Sequence, residues 1–404
     1  MSTAAQTKRI LFVAENATMA QVVRLVVLAR SLAPARYQVH FACAGFEPLV
    51  FTDTSFARHG IFSLPRETVE QASAKGEPIY DATVLEQYVE QERALFAEVK
   101  PDAVVGDFRL SLSTSAALAR IPFATLINAY WSPHAVRGAF PVPDHPMVKL
   151  VGETMAAKFF PMVMPKVFAA FAKPINTVRK RHGLPPIGSL LEVLTHADRT
   201  LFADTPFLVP TAGSPATHVY LGPVLWSPEV PLPGWWNEVS DARPIVYVTL
   251  GSSGKQDCLP IVLRALAKLD VSVLLSTAGH ELPPELPPNV LAAPYLPGDR
   301  AVARAALVIS NGGSTTGYQA LAGGVPVLGV ASNLDQFLSM TAIAASGAGI
   351  LLRAGSLKEA SVREAIGRIL SEPGFRRAAG AVASDFARYD SAQRFESQVS
   401  NLVG

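Results

Sequence analysis

The chain has 404 residues, 35 basic against 33 acidic side chains for a formal charge of +2, and only 17% charged residues. So thin a charge excludes nucleic-acid binding through a dense basic face, and a hydrophobic content of 49% excludes a largely disordered chain. Two cysteines, Cys43 and Cys258, are too few for a disulfide framework or a structural zinc site.

At roughly 100–200 residues per domain, the length predicts two domains. Lys8 and Arg9 precede only five apolar residues before Glu15 and Asn16, too few for a secretory leader. No run reaches the ~18 apolar residues of a spanning helix. The expectation is a cytoplasmic protein without a transmembrane segment. Residues 10–14 read as a strand, 21–32 as a helix and 37–42 as the next strand. Residues 103–106, 111–120 and 123–127 repeat strand, helix, strand. Continuous short apolar runs mark strands buried on both faces, hence a parallel sheet flanked by helices.

Between Tyr130 and Pro186 this rhythm fails. Trp131, Phe140, Met147, Phe159, Phe160, Met162, Met164, Phe168 and Phe171 crowd the stretch, with Pro161 and Pro165 expected to break its helices. Such segments line apolar pockets, fill helical cores, or, with Lys158, Lys166 and Lys173, lie on a membrane surface. The 32 prolines, about 8% against a usual ~5%, concentrate next. Seven of them, Pro210, Pro215, Pro223, Pro228, Pro231, Pro233 and Pro244, precede a second strand–helix series beginning at residue 245. The domains are therefore expected at 1–220 and 245–385, joined by a Pro-rich linker at 221–244. A last helix in 386–404 is placed against the first domain. The fold class is α/β with two Rossmann-like domains facing a central cleft.

The densest chemical signal is Ser310, Asn311, Gly312, Gly313, Ser314, Thr315, Thr316 and Gly317, between a strand and a helix read as starting at Tyr318. Glycines let a ligand approach the backbone, a helix start offers amide donors, and hydroxyls add more, so the run suits a diphosphate. It is neither a Walker loop nor a nucleophile elbow. Gly323 to Val330 leads to Asp335 and Gln336 at a helix start past a strand end, where ligands of open α/β sheets bind. Their acceptors and donors suit sugar hydroxyls. Ser252 and Ser253, in a Gly/Ser turn after the first strand of the second domain, sit at the same edge.

These motifs, with Leu221-Gly222-Pro223-Val224 and Tyr295-Leu296-Pro297, resemble family 1 glycosyltransferases of the GT-B fold, including bacterial macrolide and antibiotic glycosyltransferases. The resemblance implies metal-independent, inverting transfer from a nucleotide diphosphate sugar, UDP- or dTDP-linked, to a small-molecule or lipid-like acceptor, without a cofactor. It places the diphosphate at residues 310–316, the base at Tyr295 and Leu296, and the sugar at Asp335 and Gln336. The acceptor pocket falls near Trp131, His134 and Phe140, with His145 in the same segment. Ser310 stands where the family usually has His.

The family's catalytic His falls on Gln21, which cannot take a proton, and its partner Asp on Asp107. Three readings stay open: lost or weakened catalysis, Asp107 acting through a water, or an acceptor acidic enough to need little help. Glu15 is a titratable neighbour read as a solvated loop residue. A nucleotide-sugar epimerase and a non-catalytic nucleotide-sugar binder remain alternatives.

Overall fold

The computed structural model describes residues 7–52, 54–75, 77–144 and 152–404. The chain forms two compact units: residues 1–139, 158–224 and 389–404 in one, residues 140–157 and 225–388 in the other.

In the first unit β1 (Lys8–Ala14), α1 (Met19–Ser31), β2 (Tyr37–Cys43), β3 (Ala57–Gly60), α2 (Arg66–Lys75), α3 (Ala82–Val99), β4 (Ala103–Asp107), α4 (Leu112–Ala119) and β5 (Phe123–Ile127) follow one another. Then come α5 (Glu153–Phe171), which belongs to this unit from Lys158 on, α6 (Lys173–Arg181), α7 (Leu190–Leu194), β6 (Arg199–Phe202) and β7 (His218–Tyr220). The strands form one seven-stranded sheet, order β3-β2-β1-β4-β5-β6-β7. Every pairing in it is parallel. Ile10 to Ala14 and Ala103 to Val105 are fully buried, which is why these strands read as unbroken apolar runs. Leu11, Val13, Val104, Leu95, Phe96 and Leu112 lie in one core cluster on one side of the sheet.

The second unit holds β8 (Ile245–Thr249), α8 (Leu259–Leu266), β9 (Ser272–Ser276), β10 (Val290–Ala293), α9 (Gly298–Arg304), β11 (Leu307–Ser310) and α10 (Ser314–Ala322). It continues with β12 (Val327–Ala331), α11 (Leu334–Ala345), β13 (Gly349–Arg353), α12 (Glu359–Ser371) and α13 (Pro373–Phe386). Its sheet runs β10-β9-β8-β11-β12-β13 and is again wholly parallel. In both sheets the order reverses beside the first strand, between β1 and β4 and between β8 and β11. Connections leave such a point in opposite directions and open a crevice at the strands' C-terminal ends.

Two details differ from the sequence reading. α5 runs unbroken through Pro161 and Pro165. Each proline forfeits one helical hydrogen bond, but burial of Ala156, Met164 and Phe168 fixes the helix by packing. Within the proline-rich stretch, Trp236 is buried, and Arg304 donates to the carbonyls of Trp236 and Val239 at 2.9 and 2.6 Å, so this part is docked on the second unit. α14 (Ser391–Val403) belongs to the first unit, with Phe395 buried against Phe12 at 5.9 Å between ring centroids.

Candidate functional site

At the reversal point of the first sheet, α1 starts three residues after Glu15 and Asn16. Gln21 sits in its first turn, buried, and its Oε1 accepts from the Thr18 amide at 3.0 Å. The side chain thus closes a helix start. One turn later Arg24 makes a two-pronged contact with Asp107. Its Nε donates to Oδ2 at 2.9 Å and its Nη2 to Oδ1 at 2.7 Å, and both residues are buried. Arg24 Nη1 also donates to Asn128 Oδ1 at 2.5 Å, and Asn128 Nδ2 to Asp204 Oδ1 at 3.1 Å. Asp204 accepts the Ala129 amide as well. The ends of β4, β5 and β6 are therefore tied by one polar chain.

Neither Arg24 nor Asn128 nor Asp204 was singled out by sequence reasoning. The signal was present: a lone arginine inside Gln-Val-Val-Arg-Leu-Val-Val can be buried only with a partner.

Glu15, expected in solvent, is only 1% exposed. Arg109 lies between two carboxylates, donating to Glu92 Oε1 at 2.8 Å and more distantly to Glu15 Oε2 at 3.5 Å. Glu92 also accepts from Ser111 at 2.5 Å and Ser115 at 2.6 Å. Glu15 has the weaker share, with the Tyr88 hydroxyl at 3.4 Å. Burial pushes the Glu15 carboxyl above its ordinary range, and Arg109 only partly opposes this. The same burial, with Glu15 nearby, raises the Tyr80 phenol.

Phe108, just past Asp107, has φ +56°, an uncommon backbone state for an aromatic residue. Its ring meets Trp131 at 5.6 Å, and Trp131 meets Phe168 at 6.5 Å. Trp131 is buried in this cluster, so it belongs to the core more than to a pocket wall. His134 packs its ring on His218 at 5.6 Å. Phe140 falls in the second unit, whereas Trp131 and His134 fall in the first. His145 and Met147 lie outside the described residues.

In the second unit the loops after β8, β11 and β12 meet. Asn311 Nδ2 donates to Ser253 Oγ at 3.2 Å, and Gln336 Nε2 to the Ser253 carbonyl at 3.4 Å. Ser310 Oγ accepts from the Gly312 amide and Asn311 Oδ1 from the Gly313 amide, at 3.1 and 3.0 Å. Gly312 has φ +82°, and a Cβ there would lie 2.7 Å from Met340 Cγ, so the turn needs glycine. α10 starts at Ser314, four residues before the expected Tyr318, with Gly313 as its N-cap and no side-chain cap bond. Ser314, Thr315 and Thr316 thus form its first turn, where amides and dipole face outward from the helix start.

Among the described residues, the Thr315 hydroxyl is buried without a hydrogen-bond partner. Ser252 lies half-buried in the β8 loop. Gln336 Oε1 is spent on Ser332, accepting its amide at 2.8 Å and its hydroxyl at 3.0 Å, within the cap of α11. Asp335 is half-buried in the first turn of the same helix. Tyr295 lies against the turn at Gly279, whereas the Leu296 side chain is fully enclosed, leaving only its backbone for contact with a ligand. No lysine or arginine lies in 310–319.

Among the described residues no three His, Cys, Asp or Glu side chains gather as metal ligands, and no helix is long and apolar enough to cross a membrane.

Comparison with known proteins gives a consistent set. Residues 260–400 match the family profile "Erythromycin biosynthesis protein CIII-like, C-terminal domain". A PGL/p-HBAD biosynthesis glycosyltransferase of Mycobacterium tuberculosis is 47% identical over 383 residues, 95% of this chain and 89% of that protein. A PGL/p-HBAD biosynthesis rhamnosyltransferase of Mycobacterium bovis is 46% identical over 95% of this chain and 86% of that protein. An inactive PGL/p-HBAD biosynthesis glycosyltransferase of Mycobacterium bovis is 47% identical over 65% of this chain and 72% of that protein. Among solved structures, the glycosyltransferase VinC in complex with dTDP superposes with a TM-score of 0.69 at 19% identity, covering 98% of both chains.

Proposed function

The chain belongs to the family 1 glycosyltransferases of the GT-B fold, and on that footing we propose that it moves a sugar, with inversion, from a nucleotide diphosphate sugar to a hydroxyl of an apolar or lipid-like acceptor. The observation that carries this reading is the second unit's cradle. Three loops converge on Ser253 beside a glycine-capped helix start whose Thr315 hydroxyl is buried and unpartnered among the described residues.

In this reading residues 310–316, with Ser252 and Ser253, hold the diphosphate. The amides of the α10 start and the Thr315 and Thr316 hydroxyls meet the charge that grows on the departing diphosphate. Tyr295 and the Leu296 backbone flank the base. Asp335 takes sugar hydroxyls, with Gln336 holding the loop that presents it. A dTDP- or UDP-linked deoxyhexose is the donor to try first, given a rhamnosyltransferase relative and a neighbour bound to dTDP. Of the three residues expected on the acceptor side, His134, in the first unit, is the one kept there, since Trp131 is buried in the core and Phe140 lies in the second unit.

The first unit orients the acceptor. Gln21 occupies the place of the base and cannot titrate, and Asp107 has both oxygens engaged by Arg24. We therefore read Asp107 as a positioning group, and the acceptor as one whose hydroxyl is acidic enough, such as a phenol, to lose its proton with little help.

A second reading, binding of nucleotide sugar without turnover, is favoured by Gln21 itself and by the inactive relative. One experiment separates them. Product is followed by mass spectrometry with dTDP- and UDP-sugars and phenolic and aliphatic acceptors, in the natural chain and in Gln21→His. We expect transfer to the phenol by the natural chain. In Gln21→His, transfer to the aliphatic alcohol should rise by on the order of 10²–10⁴-fold, the usual worth of a general base. Donor-dependent thermal stabilisation without product in either form would establish the binder. No stabilisation by any nucleotide sugar would remove the donor assignment.

A further inference from the structure

α5 carries its hydrophobic residues on both sides. Ala156, Met164 and Phe168 face inward. Phe159, Met162 and Val163, by contrast, are 56%, 73% and 49% exposed. Their spacing of three, then one, puts them on a single stripe of a 3.6-residue helix. A soluble surface helix normally turns charged and polar residues outward, and contiguous exposed apolar side chains of this size mark a contact surface.

The charge around the stripe is one-sided. No Asp or Glu occurs from residue 154 to 191, while that span holds Lys158, Lys166, Lys173, Arg179, Lys180 and Arg181. Arg179 is buried on the carbonyls of Pro185 and Ser113, and Arg181 is paired with Glu86. The four lysines differ: all are exposed, and among the described residues none is in an ion pair. Lys158 and Lys166 are eight residues apart on α5, and Lys173 and Lys180 seven apart on α6, each close to two helical turns. In a chain whose total charge is only +2, so acid-free a run is a local feature.

Apolar side chains flanked by unpaired lysines, with no acid among them, match the two layers of an anionic bilayer surface. The apolar stripe enters the acyl boundary, and the ammonium groups on flexible stems reach phosphate level. We propose that this face of α5 and α6 seats the first unit on anionic lipid. Phe159, Met162 and Val163 are the inserted side chains, and Lys158, Lys166, Lys173 and Lys180 reach the headgroups. The proposal does not rest on the donor or base assignments. It leaves the chain peripheral: α5 lies on the surface and does not span it.

The test uses the full chain and sedimentation with vesicles of phosphatidylcholine alone or with 30% phosphatidylglycerol. Binding is expected to the anionic vesicles and to weaken at high salt, with partitioning falling roughly fivefold for each lysine whose attraction to the headgroups is screened. Phe159→Ser with Met162→Ser should reduce it at least tenfold, and Lys158→Gln with Lys166→Gln should cut the preference for anionic vesicles by about 25-fold. Both variants should keep the natural chain's cooperative thermal unfolding and far-UV circular dichroism, which shows that they fold. Equal binding to both vesicle types, no binding to either, or binding unchanged in both variants would overturn the proposal. So would a natural chain that is dimeric by light scattering and becomes monomeric in Phe159→Ser with Met162→Ser, since a second copy would then be the occupant.

Discussion

Arg24 decides what its neighbours can do. A carboxylate with both oxygens in a buried guanidinium fork is held as an acceptor, and releasing it leaves two uncompensated charges. Glu15 is the opposite case, a buried carboxylate with a weak share of Arg109. Its folded pKa is raised above the ordinary 4.5, so folding favours its protonated form. That contribution is fully present below about 4.5 and is lost as pH rises through the folded value. Glu15→Gln keeps the shape and removes the titration. The melting temperature of the natural chain should fall more steeply than that of Glu15→Gln as pH rises from 4.5 towards neutrality, with the variant the more stable at pH 7. Parallel curves would show that Glu15 stays ionised throughout. Gln21 and Asp107 were pointed to through the family resemblance, and their roles belong to the proposal. Glu15 was misread because polarity in a loop suggests solvent, and only the fold brings Tyr88, Glu92 and Arg109 around it.

At the scale of elements, α10 and α5 show where reading by pattern fails. Ser, Thr and Gly are poor helix interiors but good helix starts, so the loop 310–317 looked longer than it is. Its first turn is helical because Gly312 and Gly313 complete the bend before it. α5 fails in the other direction, since tertiary burial outweighs two prolines. The earlier start of α10 gives a clean test through Thr315. A buried hydroxyl without a partner costs about 1–3 kcal/mol, and valine replaces it with a methyl group of similar shape. Thr315→Val should therefore match or exceed the natural chain in urea unfolding by up to about 1 kcal/mol, while binding dTDP about tenfold more weakly by calorimetry. Unchanged affinity would take Thr315 out of the donor site, whereas reduced stability would mean that the hydroxyl is satisfied inside the fold.

For the molecule as a whole, low charge and many prolines acquire separate meanings. On the proposed reading, an anion at the α10 start is met by amides and hydroxyls and needs no basic patch, which agrees with the near-neutral net charge. The prolines mark more than a joint, since the stretch around Trp236 is docked by Arg304. Length and the restart of the strand–helix rhythm made two parallel sheets legible. The return of the last helix to the first unit was a weaker inference, because a terminal amphipathic helix carries no label for the face it will cover. The structure supplies that label in Phe395 and Val399, both fully buried, and in the Phe395 ring against Phe12 of β1. Arg36 adds an exposed contact to Glu396 at 3.2 Å, which is worth little beside the packing. Phe395→Ala should cost about 3–5 kcal/mol, as for other large-to-small core changes. Hydrogen exchange can locate that destabilisation. Faster exchange is expected in β1 and α1 of the first unit, with β11 and α10 of the second unit retaining their protection and their response to dTDP. Equal loosening of β11 and α10 would show that α14 supports both units, and the last sixteen residues would then have to be counted as shared structure.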